Sequence, residues 1–174
     1  MLNDVRQDNA LVTPRGISKT LLPHGLSFRE CKTHVDDRGS VCEMLDPRWG
    51  WHPEPMVFSY FYTVRPEKIK GWAVHKKHED RYFIVSGELL VVLYDTRADS
   101  PTEGLISEVY LTEHNRRIMN IPAGIWHAVK NIGSKDALIV NFPTIPYDHN
   151  DTDKYRLPLD TDQIPYRFSD EHGW

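Results

Sequence analysis

The chain has 174 residues, 40% hydrophobic and 26% charged, with 21 lysines and arginines against 25 aspartates and glutamates, a formal net charge of −4. This composition excludes a disordered chain, fits one domain with a buried core, and its mild acidity argues against a nucleic-acid wrapper. No apolar run approaches the ~18 residues of a membrane span, and Met1–Gln7 lacks the charged-then-apolar order of a signal peptide, so a cytoplasmic protein without a membrane partner is expected.

Residues 1–25 read as an N-terminal arm. Its best helical stretch, Asn3 to Asn9, has no apolar stripe. Short β-rich runs separated by turn signals follow: Leu26–Lys32, Ser40–Leu45, Met56–Val64, Gly71–His75, Arg81–Ser86, Glu88–Asp95, Ser107–Leu111, Arg117–Ile121, Ala128–Ile132 and Ala137–Phe142. About ten strands at regular spacing predict an all-β sandwich or barrel over 26–142. Asp95 to Gly104 combines Asp, Ser, Pro and Gly and reads as a hairpin connection or a longer excursion. From Pro143 onward alternation stops and prolines recur. Ile145, Leu157, Leu159, Ile164 and Tyr166 are too apolar to float free, so 143–174 is expected to pack over the barrel, with room for a short helix. Cys31 and Cys42 lack CxxC spacing and are expected to be semi-buried thiols.

Two segments carry chemistry. Pro122-Ala-Gly-Ile-Trp-His127-Ala-Val-Lys-Asn131 reads PxGxxHxxxN, a sharp turn followed by a strand that presents His127. Upstream, Gly71-Trp-Ala-Val-His75-Lys-Lys-His78-Glu-Asp80 precedes Arg81 to Gly87, with a histidine and a carboxylate five residues apart. This two-part pattern resembles that of the cupin jelly roll, the double-stranded β-helix, with Ala73 where an HxH motif has its first histidine. In a barrel, alternation allows His75, Asp80 and His127 to converge inside. Two histidines and a carboxylate suit a divalent transition metal (Fe, Mn, Ni or Zn) with open positions. They equally suit a polar, hydrogen-bonded substrate pocket.

The remaining features have plainer readings. Odd offsets on a strand face opposite ways, so His78 is expected to be exposed or a loop ligand. His24, His34, His52, His114, His149 and His172 are expected on the surface. Alternation turns Trp72 and Trp126 away from the neighbouring histidines, into a core or an interface. Lys76 and Lys77 read as a solvated edge, and Arg81 as an ordinary salt-bridge partner.

From about Ser27 to Tyr166 the chain also resembles the dTDP-4-dehydrorhamnose 3,5-epimerases and the related nucleotide-sugar 3,4-ketoisomerases. The likeness lies in Thr33-His-Val-Asp-Asp-Arg38-Gly-Ser-Val-Cys-Glu43, in Tyr60 to Gly71 with Lys70-Gly71 for Arg-Gly, and in Gly87-Glu88 to Pro101. It continues in Pro122-Ala-Gly and in Leu159-Asp160 to Tyr166. The resemblance implies a homodimeric jelly roll that binds a nucleotide-linked 4-keto-6-deoxy sugar and needs no cofactor. A histidine base oriented by an aspartate takes the proton beside the ketone, a lysine stabilises the enolate, and a tyrosine returns a proton to the other face. Here the base position holds Ala73, the lysine position Asp80, and the tyrosine position Asn141 or Val140, while Asp160 stands at the orienting aspartate. The Gly71-Trp-Ala-Val-His75-Lys-Lys segment resembles the ketoisomerase pattern better and makes His75 the base. His127 would bind the sugar or polarise its carbonyl. Arg38 and Lys70 would grip the pyrophosphate, Tyr60 and Tyr62 would line the nucleotide pocket, and Asn141 would contact substrate. A metal-dependent enzyme built on His75, Asp80 and His127, and a non-catalytic sugar-binding cupin, stand beside this reading.

Overall fold

The computed structural model describes residue 5 and residues 7–168. It has twelve strands: β1 (Ser27–Glu30), β2 (Thr33–Asp36), β3 (Gly39–Cys42), β4 (Tyr60–Val64), β5 (Ile69–Val74), β6 (Asp80–Ser86), β7 (Glu88–Asp95), β8 (Ile106–Thr112), β9 (Arg117–Ile121), β10 (Ile125–Asn131), β11 (Ala137–Asn141) and β12 (Tyr155–Arg156). One sheet runs β1-β9-β6-β11-β4 and the other β12-β5-β10-β7-β8, while β2 and β3 form a separate hairpin. All pairings are antiparallel, and the two five-stranded sheets form the jelly roll expected from the sequence. No helix among the described residues is long and apolar enough to cross a membrane.

Strand β7 explains how the sheets are held. Its Leu89, Val91 and Leu93 join the main core between the sheets, with Ile84, Met119 and Ile139. Its alternate residues Leu90 and Val92 face outward with Trp72 and Ala128. A strand buried on both faces reads as an unbroken apolar run, which Glu88–Asp95 does. The outer face is covered by the C-terminal extension: Ile164 is buried there, and Leu157, Tyr166 and Phe168 pack half-buried around it. Trp72 meets Tyr166 edge-on, with centroids 6.2 Å apart. The core that receives Trp72 is therefore built by the chain's own tail. Close approach of β5 and β10 requires Gly71, where a Cβ would fall 2.3 Å from Ala128 Cβ.

Several local expectations are corrected. Hairpin β2–β3 begins at Thr33, and Met56–Ser59 lies outside β4. The described part of the extension contains the two-residue strand β12 and no helix. Residues 5 and 7–9 are not helical; the rest of Asn3–Asn9 lies outside the described residues, as does His172. Cys31 is a buried and Cys42 a half-buried free thiol. Arg81 is 1% exposed. It donates to the carbonyls of Phe142, Glu54, Pro55 and Pro143 rather than to a carboxylate, tying β6 to two loops. His52 is buried at its ring and lies 3.0 Å from Glu79 Oε2. The arm is fastened to the β7–β8 loop, where Arg97 donates to His24 O at 2.7 Å and His24 N donates to Thr102 at 2.8 Å.

Candidate active site

Strand β5 ends at Val74, so His75 and His78 stand on the loop that leads to β6. Strand alternation no longer applies there, and both rings turn the same way, 4.1 Å apart between centroids. Two clamps shape this loop. The turn of the PxG motif reaches it through Gly124, at φ 83°, whose N–H donates to His75 O at 2.7 Å. Asp153 grips the other side. Its carboxylate accepts the backbone N–H of Lys76 at 2.9 Å, Lys77 at 2.7 Å and His78 at 3.2 Å, and pairs with His78 Nδ1 at 2.8 Å. Its carbonyl accepts from His75 Nδ1.

Asp80 opens β6 with its side chain buried in the barrel. Its Oδ2 lies 3.2 Å from His75 Nε2 and 3.5 Å from His127 Nε2, and accepts from the Tyr82 hydroxyl at 3.1 Å. Its Oδ1 accepts from Asn141 Nδ2 at 2.7 Å and lies 3.7 Å from His78 Nε2. His127 Nδ1 donates to Ile125 O at 3.1 Å. A carbonyl can only accept, so Nδ1 of His75 and of His127 carries hydrogen and Nε2 faces the carboxylate. Asn141 also donates to the Tyr60 hydroxyl at 3.0 Å, across the register pair Asn141–Tyr60. Its neighbour Val140 packs in the outer cluster with Phe83 and Ile118.

Burial works against ionised Asp80, but His75, His127 and Asn141 outweigh it and hold the carboxyl well below the usual range. Burial also works against charged His75, and Asp80 with the Asp153 carbonyl outweighs it, so His75 titrates above the ordinary histidine value. His127 is pushed down by burial to about 4. Burial, reinforced by Asp80, pushes Tyr60 up to about 12.

Two cavities flank this cluster. The larger, about 550 Å³, is bounded by His75, His78 and Tyr147, among others. The smaller, about 350 Å³, is bounded by Tyr62, Lys70, Tyr82 and His127, among others. Tyr60, Lys154 and Arg156 border both. The smaller cavity gathers Lys70, Lys154 and Arg156 with no acidic side chain among its described lining residues. Lys70 Nζ sits 5.4 Å from the centroid of the Tyr62 ring.

Residues 34–155 match the family described as the polysaccharide biosynthesis C-terminal domain. The chain belongs to this family. It is 34% identical over 138 residues to the probable low-salt glycan biosynthesis epimerase of Haloferax volcanii, covering 79% of this chain and 88% of that one. A dTDP sugar isomerase from Desulfovibrio desulfuricans superposes with a TM-score of 0.77 at 29% identity, over 84% of this chain and 93% of that one. The dTDP-4-dehydrorhamnose 3,5-epimerase of Bacillus anthracis shares the fold, with a TM-score of 0.71 at 16% identity over 85% and 88% of the two chains.

Within this family member, the site expected from sequence divides in two. His75, Asp80, His127, Asn141, Tyr60, Tyr62 and Lys70 surround the cluster and its cavities. Arg38 and Asp160 do not. Arg38 sits on the turn of the β2–β3 hairpin, 84% exposed at its side chain and paired with Asp36 at 2.5 Å. Asp160 is exposed on the turn after β12, and the contact that orients His75 comes from Asp153. His78, expected to be exposed or a loop ligand, stands on the loop with its ring in the cluster. Sequence reasoning missed Asp153, Lys154 and Arg156. The available signal was the pair of cations flanking Tyr155 at 154 and 156, of which only Arg156 lies on a strand.

Proposed function

We propose that this chain is an epimerase of a nucleotide-activated 4-keto-6-deoxy sugar, serving deoxysugar and polysaccharide biosynthesis. The observation that carries the reading is His75, backed by the buried Asp80 and set in a cavity wall, beside a second cavity whose described lining residues gather three cations, two tyrosines from β4 and no acid. The names of the Haloferax and Desulfovibrio relatives support the same class of enzyme. The diphosphate is assigned to Lys70 and Arg156, since charge-assisted donors suit that anion, and the nucleoside to Tyr60 and Tyr62. His75 removes the proton beside the ketone, and Asp80 stabilises the resulting imidazolium. The Tyr60 hydroxyl, protonated at neutral pH, returns a proton from the opposite face. His127, neutral at that pH, contacts the sugar. Hairpin β2–β3, which exposes Val35 and Val41, is assigned to the contact of a homodimer.

The test is solvent-deuterium incorporation into dTDP-4-keto-6-deoxy sugars in D₂O, with His75→Gln as control. Wild-type protein is expected to exchange a ring proton beside the ketone, and His75→Gln to abolish the exchange. Absence of wild-type exchange at high enzyme concentration would overturn the reading. Thermal stabilisation by the nucleotide sugar without turnover would then assign the chain to the non-catalytic binders.

One observation favours a second reading. Donor atoms of His75, His78 and Asp80 lie within 4.8 Å of one another, and His127 Nε2 faces the same carboxylate. Imidazoles held through Nδ1 present Nε2 as metal donors do, so the residues fit a divalent transition metal held by His75, Asp80 and His127, with His78 as a further donor. The ion would polarise a carbonyl as a Lewis acid. Stoichiometric metal in protein purified without chelator, lost in His127→Ala along with thermal stability, would establish it; active protein free of metal would remove it.

A further inference from the structure

If His75 takes a proton from carbon, the electron pair left behind moves onto the ketone oxygen. A buried carboxylate already stands beside the base. In a buried site of low effective dielectric the negative charge of Asp80 would oppose the new oxyanion. A cation facing that oxygen would lower the barrier to its formation.

The cations around the two cavities are not equivalent. Lys77 is paired with Asp151 at 2.6 Å. Lys70 sits against the Tyr62 ring in the smaller cavity. Lys154 borders both cavities, and among the described residues no ion pair or hydrogen bond engages its ammonium. The strand that follows it lies along the same cavity. Strand β12 pairs Tyr155 with Val74 and Arg156 with Ala73. Ala73 and Arg156 both line the smaller cavity, and Lys154, on the segment just before β12, lines it as well. Tyr155 lies on the other side, under Lys76 at 4.3 Å. Asp153, the residue before Lys154, holds the base itself through His75 Nδ1. One short strap thus delivers the contact that orients the base and, at the next position, a positive charge. That charge is felt by His75, His127 and Asp80, and burial lowers the lysine's own proton affinity.

We propose that Lys154 is a catalytic residue of the epimerase reaction, its ammonium stabilising the enolate oxygen formed when His75 removes the proton beside the ketone. The C–H bond breaks, the proton passes to His75 Nε2, and the electron pair becomes the enolate. When the ketone re-forms, carbon takes a proton from Tyr60, and Lys154 keeps its own throughout. The proposal rests on the epimerase reading above.

The experiment compares Lys154→Met and Lys154→Arg with wild type by deuterium exchange into a dTDP-4-keto-6-deoxy sugar, and measures dTDP binding by calorimetry. Loss of an oxyanion-stabilising group typically costs 10²–10³ in kcat. Lys154→Met is expected to lose exchange kcat on that scale while KM and the dTDP Kd move less than about threefold, and Lys154→Arg to recover most of the loss. A kcat for Lys154→Met within threefold of wild type overturns the proposal. So does weaker dTDP binding with kcat unchanged, which would make Lys154 a phosphate ligand. If Lys154→Met is less stable, the arginine variant decides: a folded Lys154→Arg as slow as the methionine variant also counts against it. Wild-type protein without exchange would instead remove the underlying epimerase reading, and Lys154 with it.

Discussion

Replacing Tyr60 by Phe separates two halves of the proposed reaction. The Tyr60 hydroxyl accepts one hydrogen bond, from Asn141 Nδ2 at 3.0 Å. Losing that bond costs about 0.5–1.5 kcal/mol of stability, and the ring keeps its contacts with Phe58 and Tyr62. Asn141 still donates to Asp80 at 2.7 Å, so the carboxylate and the base stay in place. The chemical effect is larger. With its pKa near 12, Tyr60 is a proton donor at neutral pH, and a positioned acid contributes about 10²–10⁴-fold, or about 3–5 kcal/mol of barrier. That loss falls on proton return from the face opposite His75. Removal of the proton by His75, and its return to the same face, are untouched. In D₂O, followed by proton NMR, Tyr60→Phe is expected to exchange the α-proton at close to the wild-type rate, with retention, while inversion slows by 10²-fold or more. Parallel loss of exchange and inversion in folded, nucleotide-binding protein would refute this assignment, as would inversion at the wild-type rate.

Asp80→Asn removes the larger of the two influences that raise His75 and leaves the Asp153 carbonyl against burial, which lowers it. His75 acts as base only when unprotonated, so kcat/KM rises with pH through its pKa. In the variant this acid limb is expected to move to lower pH while the plateau falls, against an unchanged background of His78, His127, Lys154 and Asp153 around the ring; a limb that stays in place or moves up would exclude Asp80 as its partner. Asp153→Ala frees the backbone amides of Lys76, Lys77 and His78, costing about 2 kcal/mol and speeding hydrogen exchange at those amides, with kcat reduced more than KM. Trp72→Ala empties the fully buried site beneath the C-terminal extension, so a loss of about 3–5 kcal/mol in urea unfolding is expected.

The fold was legible where strands have a buried face. Glu88–Asp95 and Arg117–Ile121 coincide with β7 and β9, because apolar residues on two buried faces leave turn residues at each end. Hairpin β2–β3 was legible only in part: most of Thr33–Cys42 is exposed, so burial imposed no pattern on it. The site followed the same logic. Asp80 and His127 were readable from spacing because they lie at or near the starts of β6 and β10, and His75 because it directly follows the end of β5. The exposed alternative for His78 carried alternation past Val74, where the strand ends; the loop position of the other alternative is where the structure places it. Arg156 escaped because its strand is two residues long and gains its meaning from pairing with β5, and Asp153 and Lys154 because they lie on the irregular segment just before it. Asp160 was placed by linear alignment, and the strap through Asp153 shows how spacing fails where the chain leaves regular structure.

Strand register gives a physical account of how chemistry could persist when its expected positions change. Ala73 leaves room where the family resemblance puts a histidine, and its neighbours across the sheet are His127 on β10 and Arg156 on β12. Asn141 stands where a tyrosine is expected, and its partner across β4 is Tyr60, whose hydroxyl it contacts. Paired residues lie about 4.5–5.5 Å apart on one face of a sheet, so a functional group lost from one strand is regained nearby from the next. Only the charge at Asp80 cannot be restored by a sideways step, because the residue has changed sign. A carboxylate there strengthens the base and burdens the enolate at once, a burden that a cation from outside the two expected motifs would offset.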